Sequence, residues 1–439
     1  MTSFDSLEKY KLSKIRIIIF IIMVFFSLLL FYYDTAVCSY TYESYGLASA
    51  YFALFLSVLS LVRNSNRVFL FFIFFFLTLF PFDFLVSNGA EVPLIYVYKL
   101  KELPFVFLLF NLFQCSCLFI KGAKVSFSYR NIEFLNSRFV FYFFTLLMLI
   151  GTLSLKGSNI FSSSGSYTAY TTNLDSASGL NEYLLILAIF LLFFSKRKTE
   201  RIIFVLVVGL YVFKSVTYGF RVQSIMALFI IGVAVAKKDP SKVVIWCCAF
   251  LGFFIILLFG FLKEGADVSN LGLKILVDDR YGYAQSHQHG VLSSSSTVLD
   301  IYSKSTVMQE LLDVPATLLS ATLPRRFIGD DVPRVYPSAY VQTFEYTPGG
   351  VMFLVQIYVL TGWVGFALFN LIFISICNSF NRSVHVNDYK SRVNIVIVVT
   401  FFIFFVRWIS YDFFNYGVRT LFILTILFSI YKVISKIKN

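Results

Sequence analysis

Apolar residues along this chain gather in long, nearly unbroken runs, at about 15–33, 47–62, 68–86, 103–120, 139–155, 183–195, 202–216, 222–236, 243–262, 350–377, 395–409 and 419–434. Runs of ~15–20 apolar residues have the length that crosses a bilayer as an α-helix. The pattern predicts an all-α polytopic membrane protein with about 12 transmembrane helices. Residues 1–262 carry the first nine, 263–346 form one large extracytoplasmic loop, and 347–439 carry the last three. The first run follows a basic lead, "MTSFDSLEKYKLSKIR", and no small-residue cleavage site comes after it, so it reads as a retained span rather than a cleaved signal.

Composition agrees with this reading. Of 439 residues, 58% are hydrophobic and 14% charged. A soluble domain of that composition lacks the polar residues to cover its own exterior. Charge then orients the chain. The segments 1–16, 63–67, 121–138, 196–201, 237–242, 378–394 and 432–439 hold 23 Lys and Arg against 6 Asp and Glu, leaving 14 and 18 for the opposite side. The excess of Lys and Arg marks the cytoplasmic side, so both termini are predicted inside. The net charge of +13 is accounted for by topology, and nucleic-acid binding has no place in the account.

Two predicted outer segments are long. Loop 156–181 is rich in Ser, Thr, Gly and Tyr and poor in charge. Loop 263–346 contains "SSSS" at 293–296, which offers an N-cap. After it, Leu299, Tyr302, Val307, Leu311 and Leu312 recur at helical spacing. That predicts an amphipathic helix lying on the membrane surface or packed on the bundle, closed by Pro315. The six cysteines show neither a disulfide framework nor metal spacing and read as packing residues. No internal repeat or inverted half-to-half symmetry is visible, which counts against a transporter.

Seven arginines are predicted at or just above the outer membrane edge: Arg221, Arg280, Arg325, Arg326, Arg334, Arg407 and Arg419. An arginine within hydrocarbon costs roughly 2.5–3.5 kcal/mol, so each either snorkels, pairs with an acid such as Asp278, Asp279, Asp330 or Asp331, or faces a polar cavity. Seven on one face also suit a pyrophosphate, because the guanidinium fork matches phosphate oxygens. Asp412 lies between Arg407 and Arg419, which would keep it ionised for work as a general base. His287 and His289, in the predicted loop "SHQHG", read as solvated histidines, with His289 kept as a second base candidate. "HQH" lacks the further ligands of a metal site. Tyr281, Tyr283, Tyr336, Tyr340, Tyr346 and Trp363 at the same edge form an interface belt or stack on sugars, with Tyr336 in the arginine-rich stretch. No Walker or Rossmann glycine pattern is present, so an enzyme of this sequence takes a donor that is already activated.

Three segments carry a resemblance to a known family. "TYGFRVQSIMALFII" places glycine and arginine before an apolar helix. "LPRRFIGDDVPRVYPSAYVQTFEYTPGGVMFLVQIYVLTGWVGF" runs from a proline-arginine segment through a polar stretch to "TPGG" opening a span. "YDFFNYGVR" sets an acid before an arginine ahead of the last helix. In these segments, and in length and loop sizes, the chain resembles the Wzy-type polymerases of O-antigen and capsule repeat units. The resemblance implies a GT-C-like membrane glycosyltransferase on the outer face of the bacterial inner membrane. It would join undecaprenyl-pyrophosphate-linked oligosaccharides without a metal or other cofactor. Arg325, Arg326 and Arg334 are then alternatives for the family's loop arginine. The implied partners are lipid-linked oligosaccharides, membrane lipid, and a chain-length regulator and flippase of the same pathway. An O-antigen ligase shares the architecture and donor, and a lipid-linked oligosaccharide flippase shares the span number. A catalytic histidine in the large loop would favour the ligase.

The topology is directly testable. A reporter active only outside the cytoplasm is expected to be active when fused near residue 300 and silent near residue 385, and the opposite pair of results would invert the assignment.

Overall fold

The computed structural model describes residues 3–38, 46–65, 67–87, 101–121, 135–155, 167–217, 221–236, 241–248, 250–251, 287–302, 350–380, 389–409 and 413–437. At several helix termini it describes the backbone alone. The described residues are helical, with no strand among them. In chain order the helices are α1 (Ser3–Cys38), α2 (Leu47–Arg63), α3 (Val68–Ser87), α4 (Leu103–Ser116, continued by a 3₁₀ turn over Cys117–Phe119), α5 (Arg138–Ser154) and α6 (Tyr167–Leu192). They continue as α7 (Lys198–Thr217), α8 (Arg221–Val235), α9 (His287–Tyr302), α10 (Phe353–Phe380), α11 (Tyr389–Trp408) and α12 (Phe413–Ile437). Residues 242–248 and 250–251, in the ninth predicted run, are helical as well.

Two stretches are long and apolar enough to cross a membrane, Lys14–Val37 in α1 and Phe353–Ser379 in α10. Seven shorter apolar helical stretches accompany them among the described residues. Only 6% of the most apolar window of α1 is buried, and Ile18, Phe25 and Tyr32 point away from the bundle. An apolar exterior of this kind is compatible with a membrane protein.

The helices form two groups. One contains α1, α2, α3, α4, α9 and α10; the other contains α5, α6, α7, α8 and α12. Helix α11 packs on members of both, against α3 and α10 on one side and α8 and α12 on the other. Phe401, Phe402, Phe404 and Phe405 of α11 are buried. Phe405 and Phe401 meet Phe373 of α10, and Phe402 meets Phe69 of α3. Offset and edge-to-face ring contacts of this kind add to simple area burial.

Helix ends inside such a bundle leave backbone groups that need partners. The sequence meets much of that need from other helices. The N-cap of α2 is Gly46, which has no side chain and sits at φ 74°. A Cβ there would lie 3.2 Å from the Phe107 ring and 3.3 Å from the Pro104 nitrogen. Asp34 of α1 supplies the missing cap: its Oδ1 and Oδ2 accept from the Ala48 and Ser49 amides at 3.1 and 2.8 Å. At the far end, Arg63 donates to the carbonyls of Leu118 and Ile120, both at 2.8 Å. Asn378 of α10 accepts from the Lys121 amide in the same place. Helix α7 has its own cap, since Glu200 Oε2 accepts from the Arg197 amide at 3.1 Å. Burial pushes the Glu200 carboxyl up, partly opposed by Arg138.

Several sequence expectations change here. Loop 156–181 is in large part helix, because α6 begins at Tyr167; no proline interrupts 167–192, and its Ser, Thr and Asn residues continue into an apolar run. Ser293, Ser294, Ser295 and Ser296 do not cap their own helix. They lie inside α9, which starts at His287, so His287 and His289 stand in a first helical turn rather than a loop. Residues 290–299 are buried, and α9 packs against α3, α4 and α10; Val307, Leu311, Leu312 and Pro315 of the predicted amphipathic helix lie outside the described residues. The serines cap neighbours instead: Ser296 Oγ accepts from the Glu102 amide ahead of α4, and Ser295 Oγ from the Met352 amide ahead of α10. The Phe353 amide is taken by the Ile409 carbonyl at 3.2 Å, joining the start of α10 to the end of α11. Helix α10 is itself broken at Gly362, with φ 63° and ψ −164°, a conformation open essentially to glycine alone. The run 350–377 is thus a short buried helix followed by a longer one. Cys115, Cys117 and Cys377 are buried and free, in keeping with packing, whereas Cys247 and Cys248 are exposed.

The borrowed cap gives the prediction for this level. Asp34→Ala is expected to cost about 1–2 kcal/mol, and Asp34→Asn less because it keeps an acceptor oxygen. Unfolding in detergent measures it, and an alanine variant with the wild-type midpoint would remove Asp34 from the account.

Candidate functional site

Where α6, α7, α8 and α11 come together, polar side chains replace the phenylalanines. Arg407 stands one residue before the end of α11, and Glu182 projects from α6. Arg407 Nη2 lies 2.8 Å from Glu182 Oε1, and each side chain keeps 9% of its surface exposed. Gln223, near the start of α8, donates from Nε2 to the same Oε1 at 2.9 Å. Next to Glu182 on α6, Asn181 is fully buried. Its backbone carbonyl accepts from the Tyr211 hydroxyl of α7 at 3.1 Å, and its Nδ2 donates to Ser215 Oγ at 3.4 Å. Asn181 Oδ1 is buried with no hydrogen-bond partner among the described residues.

This placement follows from sequence and energetics together. Burying a lone charge in an apolar bundle costs several kcal/mol, whereas a hydrogen-bonded opposite charge recovers much of that. Glu182 is the first residue before the 183–195 run, and Arg407 is close to the end of the 395–409 run. Antiparallel packing brings those two ends level. Oxygen Oε1 of Glu182 receives one charged and one neutral donor, which fixes the carboxylate between three helices. Gln223 ties α8 to the pair, and Tyr211 ties α7 to the neighbouring turn. Trp408, 2% exposed, stacks beside Phe404.

Of the arginines nominated from sequence, Arg407 and Arg419 have described side chains, and Arg407 is the one brought into the cluster. Arg407 pairs with Glu182, and the four loop aspartates considered lie outside the described residues. Arg419 is in α12, partly buried, with no ion pair to Glu182. Arg221 opens α8 two residues before Gln223, which puts its backbone beside the cluster; its side chain is outside the described residues. His289 is in the first turn of α9, which packs chiefly on α3, α4 and α10. Arg280, Arg325, Arg326, Arg334, Tyr336 and Asp412 lie outside the described residues. Among the described residues no group of three or more His, Cys, Asp or Glu is gathered closely enough to nominate a metal site.

Glu182, Gln223, Asn181 and Tyr211 escaped the sequence reading. The available signal was a carboxylate abutting an apolar run, at the edge where the arginines are predicted. It was hidden because Glu182 adjoins a Ser/Thr-rich stretch that reads as loop.

The pair is testable as a thermodynamic cycle. Arg407→Met and Glu182→Leu are each expected to cost about 3–5 kcal/mol, because each strands a buried charge, while the double variant recovers most of that loss. Thermal unfolding of the purified variants measures the coupling, and additive losses would mean that the two groups do not depend on each other.

Compared with known proteins, the chain matches no family model, no curated protein and no solved structure, so a functional reading rests on its own residues.

Proposed function

We propose that this protein is a polytopic membrane glycosyltransferase with about twelve spans and cytoplasmic termini, which polymerises undecaprenyl-pyrophosphate-linked repeat units on the outer face of the bacterial inner membrane. The growing chain leaves its lipid pyrophosphate and joins a sugar hydroxyl of a newly delivered unit. One observation carries the reading. Gln223, in the "FRVQS" start of α8 within one of the three segments that resemble the polymerases, and Arg407, four residues before another, meet at one buried cluster around Glu182. In the predicted topology the participating ends of α6, α7, α8 and α11 all lie on the outer side, so the cluster and the charge pattern agree on which edge is polar.

In this account arginines stabilise charge on the departing pyrophosphate, a role suited to preorganised cations in a site that excludes water. Arg407 and Arg419 flank the α11–α12 turn and Arg221 opens α8. Arg280, Arg325, Arg326 and Arg334 belong to the large loop, with Tyr336 available for sugar stacking. Asp412 and His289 are the sequence-nominated acceptors for the hydroxyl proton.

A deletion strain tests the reaction class. Loss of a polymerase leaves a single repeat unit on the lipopolysaccharide core, whereas loss of a ligase leaves none. Arginine chemistry is tested by substitution in the complemented strain. Arg→Lys at Arg221 and at one or more of Arg325, Arg326 and Arg334 is expected to give single-repeat products with normal membrane insertion, because a point charge does not reproduce a bidentate fork. Wild-type chain length from all of these lysine variants would sink the pyrophosphate site.

A further inference from the structure

The Glu182 carboxylate is used unevenly. Oε1 accepts from both Arg407 and Gln223, at 2.8 and 2.9 Å, whereas Oε2 accepts no hydrogen bond among the described residues. A carboxylate has about four acceptor positions, so those of Oε2 remain open to a further donor. The oxygen is also held still, since its partners come from α8 and α11 while its own backbone is in α6. A neutral donor suits Oε2 best. A cation would compete with Arg407 for the same charge, and an anion would be repelled.

We infer that Glu182 Oε2 receives a hydroxyl of the acceptor sugar and takes its proton during transfer, an assignment that rests on the glycosyl-transfer reading above. The acceptor oxygen forms a bond to the anomeric carbon of the donor chain. The bond from that carbon to the pyrophosphate oxygen breaks, and its electron pair leaves with the lipid pyrophosphate. The hydroxyl proton moves to Oε2 and passes to water before the next turnover. Arg407 and Gln223 together fix the orientation of the carboxylate.

Arg407 reaches the carboxylate from α11 and Gln223 from α8, while Tyr211 of α7 donates to the adjacent Asn181 carbonyl. Lys214 of α7 donates to the Leu153 and Leu155 carbonyls, and Arg419 of α12 makes no ion pair with Glu182.

The test uses full-length protein in lipid nanodiscs and the lipid-linked repeat unit extracted from the deletion strain. Chain extension is measured for wild type, Glu182→Gln, Glu182→Asp and Asp412→Asn, with thermal unfolding recorded on each. Glu182→Gln keeps an acceptor oxygen for Arg407 and is expected to slow extension by about 100-fold or more. Should that variant fold poorly, Glu182→Asp keeps the charge pair and displaces the oxygen. It is expected to unfold near wild type and to be at least ~10-fold slower, since proton transfer depends on the position of the acceptor. Wild-type rates from Glu182→Asp, or wild-type rates from Glu182→Gln beside loss of extension in Asp412→Asn, overturn the assignment while leaving the polymerase reading intact. Wild-type nanodiscs that extend no chains overturn both.

Discussion

A guanidinium set among phenylalanine side chains is tolerated only where something answers its charge, and in this protein Glu182 answers Arg407. The contact at 2.8 Å constrains more than two residues. Arg407 ends the helix that packs on both groups of the bundle, and Glu182 belongs to a helix of the second group. Bringing them together sets α11 against α6, and Gln223 extends the same constraint to α8. The apolar contacts of α11 with α3 and α10 allow many near-equivalent arrangements, because one phenylalanine replaces another at little cost. A charged hydrogen bond does not slide in that way. A buried pair of this kind contributes little net stability compared with apolar residues of the same volume. Its effect is to select one arrangement and to hold a carboxylate at a chosen place.

The same economy recurs elsewhere in the bundle. Asp34 caps α2 from α1, Arg63 and Asn378 answer the carbonyl and amide groups at the end of α4, and Ser295 and Ser296 cap the starts of α10 and α4. Each of these bonds runs between helices. Polar groups that an isolated helix leaves open to water become the links that hold neighbours in register.

These links also mark the limit of what the sequence made legible. Run length and hydropathy were enough to place α2, α3, α5 and α8 within about a residue, because their ends coincide with the ends of apolar runs. The α6 start at Tyr167 was hidden, since Ser, Thr and Asn have low intrinsic helix preference. The serines of α9 looked like a cap for their own helix because only proximity in sequence was visible; their partners, Glu102 and Met352, lie 194 and 57 residues away. Gly362 stood in a Gly-containing segment, "TGWVG", yet an unbroken apolar run concealed the break. Within the candidate site Arg407 was legible as a charge that needs explanation, but its partner was not. Sequence pointed to acids in the same loops as the arginines, whereas pairing across a bundle follows the level of helix ends.

The most direct test of this account is a cryo-EM map of the full chain in lipid nanodiscs, with the lipid belt resolved. The account predicts Arg407 and Glu182 within hydrogen-bond distance, level with the headgroup boundary on the side opposite the N-terminus. Arg407 and Glu182 apart, or paired at the bilayer midplane or the cytoplasmic surface, would contradict it.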